Sequence, residues 1–181
     1  MNLLIDDRFL PATLTAPPMT DDEFTDFCVE HSDLFFEMTA EGEILVMPPT
    51  YSLTGARNTE ILGQLRNWSR KDARGVATGS SDGFVLPNGA RRSLGAAWTL
   101  KSRLAQLGHE SLSRFWHLSH DFVIELKPDS DRLPVLRKKM EEWVANETQL
   151  GWLIIPEAPT VEIFRPGREP ESRADIDSLA G

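Results

Sequence analysis

The chain has 181 residues, 40% of them hydrophobic and 26% charged; this is the balance of a folded domain with one core rather than of a disordered or fibrous chain. Lys and Arg number 19 against 28 Asp and Glu, a net charge of −9. That excludes a broad basic face for gripping duplex backbone, while a local positive contact surface stays open.

At the N-terminus, Met1 to Asp7 runs from apolar residues into two aspartates with no basic segment. No apolar run reaches the roughly 18 residues that span a bilayer. The expectation is no secretory signal, no membrane and a cytoplasmic protein. Thr20 and Glu23 form a capping-box pattern ahead of Phe24, Phe27, Cys28 and His31, which predicts a helix over about 20–31 with Cys28 inward. Cys28 is the only cysteine, so there is no disulfide framework and no cysteine-cluster zinc site. Leu34–Met38 and Glu43–Met47 read as a hairpin turned by Glu41-Gly42, ended by Pro48-Pro49. A helix over about 53–72 puts Ile61, Leu62, Leu65 and Trp68 on one face and is stopped by Gly75. Phe84–Leu86 and Arg91–Leu100 flank Pro87-Asn88-Gly89, a hairpin signal. Residues 101–120 read as irregular or partly helical.

Phe122, Ile124 and Leu126 then alternate with Val123, Glu125 and Lys127, predicting a half-buried strand. A helix begins near Asp131–Pro134 and carries Leu136, Met140, Trp143 and Val144 inward. Gly151–Ile155 and Val161–Phe164 are two further strands, and the polar tail over 168–181 reads as loose. The order predicts one domain, a mixed β-sheet flanked by helices, of the α/β (α+β) class. Three basic clusters (Arg66, Arg70, Lys71 and Arg74; Arg91 and Arg92; Arg137, Lys138 and Lys139) read most simply as solvated faces.

Glu125-Leu126-Lys127 carries the chemistry. Residues two apart on a strand share a face, so Glu125 and Lys127 are expected to project together. A carboxylate there suits a hard divalent cation, and an ammonium beside it suits a phosphate or an attacking water. The ordinary alternative is a surface ion pair worth about 0–1 kcal/mol.

Three blocks, Gly83–Gly89, Arg92–Trp98 and Asp121–Glu125, together resemble the PD-(D/E)XK nuclease fold, and more narrowly the Uma-two family of restriction-endonuclease-like proteins. Leu136–Met140, Leu150–Pro156 and Val161–Gly167 follow in the family's order, so the resemblance covers most of 20–167, a nuclease-like core. It implies a restriction-endonuclease-like core and a DNA endonuclease using Mg²⁺ or Mn²⁺. It also implies a DNA partner, and two-strand cleavage would suit a homodimer. By the same resemblance Glu125 is a metal ligand, Glu37 a further ligand or support, and Lys127 the catalytic lysine, with Lys139 as a relocated one. One departure stands out. Where the family has Ser-Pro-Asp with a metal-binding aspartate, this chain has Ser93-Leu94-Gly95, so Gly95 marks a vacated ligand position. The expectation is therefore a weakened or inactive enzyme; the alternative is a catalytically silent nuclease-fold protein that binds nucleic acid or protein. Asp121 cannot substitute, lying roughly 13 Å from Glu125 along the strand, and Asp82 falls elsewhere in the pattern. The family also continues with a further apolar strand, which leads to the expectation of a missing edge strand here.

His117, His120 and Asp121 could suggest a zinc site, and Asp129, Ser130 and Asp131 a calcium loop, but neither has its full pattern. The five tryptophans read as core aromatics rather than stacking platforms.

Overall fold

The computed structural model describes residues 10–48, 50–80, 82–108, 115–129, 131–176 and 178–179. The capping box at Thr20 forms as predicted: its Oγ1 accepts the Glu23 N–H at 3.3 Å, and Glu23 Oε2 accepts the Thr20 N–H at 2.8 Å. These bonds satisfy two otherwise orphaned donors and start α1 (Asp21–Glu30). β2 (Phe35–Met38) and β3 (Glu43–Met47) make the expected antiparallel hairpin, and β1 (Ala12–Thr15), which the sequence reading missed, adds to the outer edge of β3. The Asn88-Gly89 hairpin joins β5 (Phe84–Val85) to β6 (Arg91–Arg92), with Gly89 at φ +88°, a conformation open mainly to glycine. With β8 (Trp116–His117) these strands form one six-stranded sheet in the order β1-β3-β2-β6-β5-β8.

The second sheet holds β4 (Gly75–Gly79), β7 (Ala96–Leu100), β9 (Phe122–Leu126), β10 (Leu150–Ile155), β11 (Thr160–Phe164) and β12 (Glu171–Ala174), in the order β12-β11-β10-β9-β7-β4. A short helix α3 (Lys101–Leu104) follows β7, and β9 and β10 run parallel, joined by α4 (Leu133–Ala145). The fold class is the expected mixed α+β, but there are two mixed sheets where one was anticipated. The run Arg91–Leu100 is not one strand. It breaks at Ser93-Leu94-Gly95 and passes from the first sheet to the second, because Ser93 turns both its N–H and its hydroxyl to the Glu37 carboxylate.

Helices close both faces of the second sheet, so β9 is covered on each side rather than half-exposed. Val123 packs with Met140 and Trp143 of α4, while Ile124 packs with Leu65 of α2 (Ser52–Asp72). The tail corrects a second expectation: β12 pairs with β11, so that edge is covered and 171–174 are ordered as strand. No helix among the described residues is long and apolar enough to cross a membrane.

Gly75 does not terminate α2; Ala73, at φ 60°, caps it. Gly75 opens β4, where a Cβ would lie 2.1 Å from the Trp98 indole, whose Nε1–H donates to Ser69 Oγ at 3.1 Å. Gly75→Ala is therefore expected to displace a buried indole and cost about 1–3 kcal/mol. Urea unfolding followed by tryptophan fluorescence checks this, and an unchanged midpoint would contradict it.

Candidate active site at the seam of the two sheets

Four elements converge where the chain crosses between sheets. β2 of the first sheet contributes Glu37, β9 of the second contributes Glu125, α4 contributes Lys139, and the 93–95 crossing contributes Ser93 and Gly95. Lys139 is the bridge. Its Nζ donates to Glu37 Oε1 at 2.8 Å and to Glu125 Oε1 at 3.3 Å. Helical spacing explains why α4 can supply it: Leu136, Met140 and Trp143 are buried in the core, and Lys139 sits at the margin of that face.

The two glutamates differ in how fully they are satisfied. Glu37 Oε1 accepts from Ser93 N–H at 3.1 Å, Ser93 Oγ at 2.9 Å and Lys139, while Oε2 accepts from Arg92 Nη1 at 3.2 Å. Among the described residues Glu125 receives only Lys139 and a long bond of 3.4 Å from the Gly95 N–H. Burial opposes charge on Glu37, yet the Lys139 and Arg92 cations and the donors around it hold its carboxyl below the usual glutamate value. For Glu125 burial prevails over Lys139, and the neighbouring Glu37 charge adds to it, so its carboxyl is pushed up. Burial would discharge Lys139, but Glu125 and Glu37 overcome it and raise the ammonium to about 12. The two carboxyls are thus pushed in opposite directions, Glu37 toward the charged form and Glu125 toward the neutral one.

A second ring of bonds fixes this geometry. Arg92 Nε donates to Glu142 Oε2 at 2.6 Å, and Asn88 Nδ2 donates to Glu142 Oε1 at 3.1 Å, tying the β5–β6 hairpin to α4. Arg91 pairs with Asp21 of α1. Arg91, Arg92 and Lys139 are thus largely buried in ion pairs, not on solvated faces as their clustering suggested. Arg137 is half-exposed and pairs with Glu162.

Glu125 and Lys139 open on a cleft of about 190 Å³ whose other walls include Asn58, Thr54, Tyr51, Phe35 and Gly95. Lys127 does not join them. β9 ends at Leu126, and Lys127 Nζ turns to Glu157 at 2.5 Å and to the Pro128 carbonyl at 3.1 Å, so the expected Glu125–Lys127 pair does not form. The histidine cluster also disperses. His117 pairs with Asp21 at 2.8 Å, His120 is enclosed against Thr99, and Asp121 accepts the Leu100 N–H at 2.8 Å. Asp82 accepts the Gly79 N–H at 3.0 Å and does not line this cleft. Ser130 lies outside the described residues.

Asn58, which the sequence reading did not single out, adds a signal of its own. Its Oδ1 is buried with no hydrogen-bond partner among the described residues. A Cβ on Gly95 would lie 3.2 Å from that atom, 3.1 Å from the Ile124 carbonyl oxygen and 3.6 Å from the Leu126 nitrogen. The first two contacts are close, so a side chain at 95 would need the Asn58 side chain and the β9 backbone to give by a few tenths of an ångström. The only prior hint was an asparagine on a helix otherwise patterned for packing.

The model of the Uma2 family, described as a putative restriction endonuclease, matches residues 21–179. The chain belongs to this family. A comparison with curated proteins returns no match. Among solved structures, the chain is similar to the crystal structure of a putative nuclease belonging to DUF820 from Anabaena variabilis. The TM-score is 0.74 at 20% identity, over 91% of this chain and 89% of that one, a likeness of fold.

Uma2 membership points to nuclease-type chemistry, and nucleases of this kind use divalent metal ions. The residues present do not suit one. Among the described residues no group of three metal-ligating side chains converges. Glu37 is saturated by four donors, and Glu125 has a buried ammonium 3.3 Å away; Asp131 also lines the cleft. Mg²⁺ usually takes one or two carboxylates together with waters and phosphates, and here a cation already sits on Glu125.

Proposed function

We propose that this Uma2 chain is a nuclease-type protein of the PD-(D/E)XK kind whose phosphodiesterase site is incomplete at position 95, so that it engages DNA and cleaves it slowly or not at all. The observation that carries this reading is Gly95 itself: its N–H reaches Glu125 at 3.4 Å, yet it supplies no carboxylate where the family resemblance places one, and beside it Asn58 Oδ1 is buried without a partner among the described residues. Glu125 is the group placed to accept a proton from an attacking water. Lys139, charged across the physiological range, is placed to balance negative charge building on a phosphoryl group. Lys139 takes the lysine role in preference to Lys127, which Glu157 holds elsewhere. Glu37 orients Lys139 and the 93–95 crossing. The loss of the acidic anchor favours the silent, binding-only reading for the unaltered chain.

The test is a gain of function. Gly95 has no left-handed backbone requirement, and a Cβ there asks for shifts of a few tenths of an ångström from the Ile124 carbonyl as well as from the Asn58 side chain. With Mn²⁺ or Mg²⁺ and supercoiled plasmid, the unaltered chain is expected to show little nicking. Gly95→Asp is expected to raise cleavage by at least about 100-fold, the scale of one well-placed electrostatic group, and Gly95→Asp with Glu125→Ala to abolish the gain. Robust cleavage by the unaltered chain that survives Glu125→Ala would overturn the assignment.

A further inference from the structure

Beside the Glu125 cleft lies a second hollow of about 150 Å³. The two share Phe35, Ser80 and Ser93 as lining. Phe35 stands between them with 57% of its surface exposed, although it starts a strand whose later residues are buried. On β2 it shares a face with Glu37, so the ring projects from the same side as the site. The second hollow is walled by Phe24, Phe36, Phe84 and Phe115, with Asp82 among its polar groups. A cavity of about 150 Å³ takes up one benzene, so each hollow is of a size for one planar ring. An apolar hollow with a few polar groups is the usual form of a small-ligand site.

Building on the nuclease-type reading, we propose that the second hollow is a base pocket for an unpaired nucleotide next to the cleft, with Phe35 stacked between two consecutive bases of a single strand. Three observations support it. A paired base inside a duplex cannot enter a ring-sized hollow without leaving its stack. A chain of net charge −9 gains little from phosphate neutralisation, whereas aromatic stacking is independent of that charge. Asp82 uses Oδ2 for the Gly79 N–H, and its Oδ1 carries no bond among the described residues, an acceptor suited to the exocyclic amine of cytosine. The pocket therefore favours cytosine over thymine.

The test uses fluorescein-labelled oligo-dC, oligo-dT and a duplex of equal length, titrated with the full chain and read by anisotropy. Oligo-dC is expected to bind at least about tenfold more tightly than the duplex. Phe35→Ala, at an exposed position, is expected to weaken single-strand binding about tenfold more than it weakens duplex binding. Asp82→Asn is expected to erase the preference for oligo-dC over oligo-dT. Oligo-dC is also expected to slow alkylation of Cys28, which lines the hollow. Duplex binding equal to single-strand binding, indifferent to Phe35→Ala, overturns the pocket and leaves the nuclease-type reading intact. Absence of binding to either form, with no cleavage by Gly95→Asp, overturns both.

Discussion

Lys139→Met is expected to lower stability by about 3–5 kcal/mol, the cost of removing one partner from a buried ion pair. The ammonium is the group that neutralises Glu37 and Glu125 together, and all three side chains are nearly inaccessible. Glu37 would keep Arg92 and Ser93 as donors. Glu125 would keep only the long Gly95 contact and would respond by taking up a proton. Urea unfolding at neutral pH measures the loss. The double variant Lys139→Met with Glu125→Gln is expected to recover part of it, since the abandoned charge is then gone. A Lys139→Met midpoint within experimental error of the unaltered protein would show that the bridge contributes nothing.

Acid sensitivity through His120 is the second large effect. Its ring is fully buried, edge-on to Phe84 at 4.1 Å, with Nδ1 2.5 Å from Thr99 Oγ1 and Nε2 without a partner. Burial, with a lesser contribution from Arg103, drives its pKa from an ordinary 6.5 down to about 3. The folded value lies below the unfolded one, so the unfolded chain takes the proton first. The full contribution is present above the ordinary value and is lost as pH falls toward the folded value. The slope is about 1.4 kcal/mol per pH unit once the unfolded histidine is protonated. Denaturant midpoints between neutral pH and pH 5 span the range in which the unfolded histidine takes up its proton. His120→Gln is expected to flatten the dependence in that window by about one proton. Equal slopes for the two proteins would rule out His120 as its source.

Local chemistry made much of this fold legible. The Thr20 capping box, the turn at Asn88-Gly89 and the inward Leu136, Met140 and Trp143 are short-range signals, and each appears as read. Glu37, Glu125, Lys139 and Gly95 were all named from the family resemblance, and the structure brings them together. What escaped depends on distant partners. Glu37 and Lys139 are 102 residues apart, and nothing near Lys139 marks it as buried rather than solvated. Arg91–Leu100 has strand composition throughout, and only the demand of Glu37 for the Ser93 donors breaks it in two. The spacing of Glu125 and Lys127 promised a pair, but the strand ends between them and Glu157 takes the lysine. β12 is polar because it is an edge, and that made a strand look like a tail.

Lys139 reaches one acid on each of the two sheets, and this gives the seam a mechanical property. It acts as a rivet. Anything wedged deeply enough to pry the sheets apart must pull the ammonium off Glu37 or Glu125, so widening the gap and uncovering a carboxyl group are one event. Ligand entry and the electrical state of the floor are thereby geared to each other.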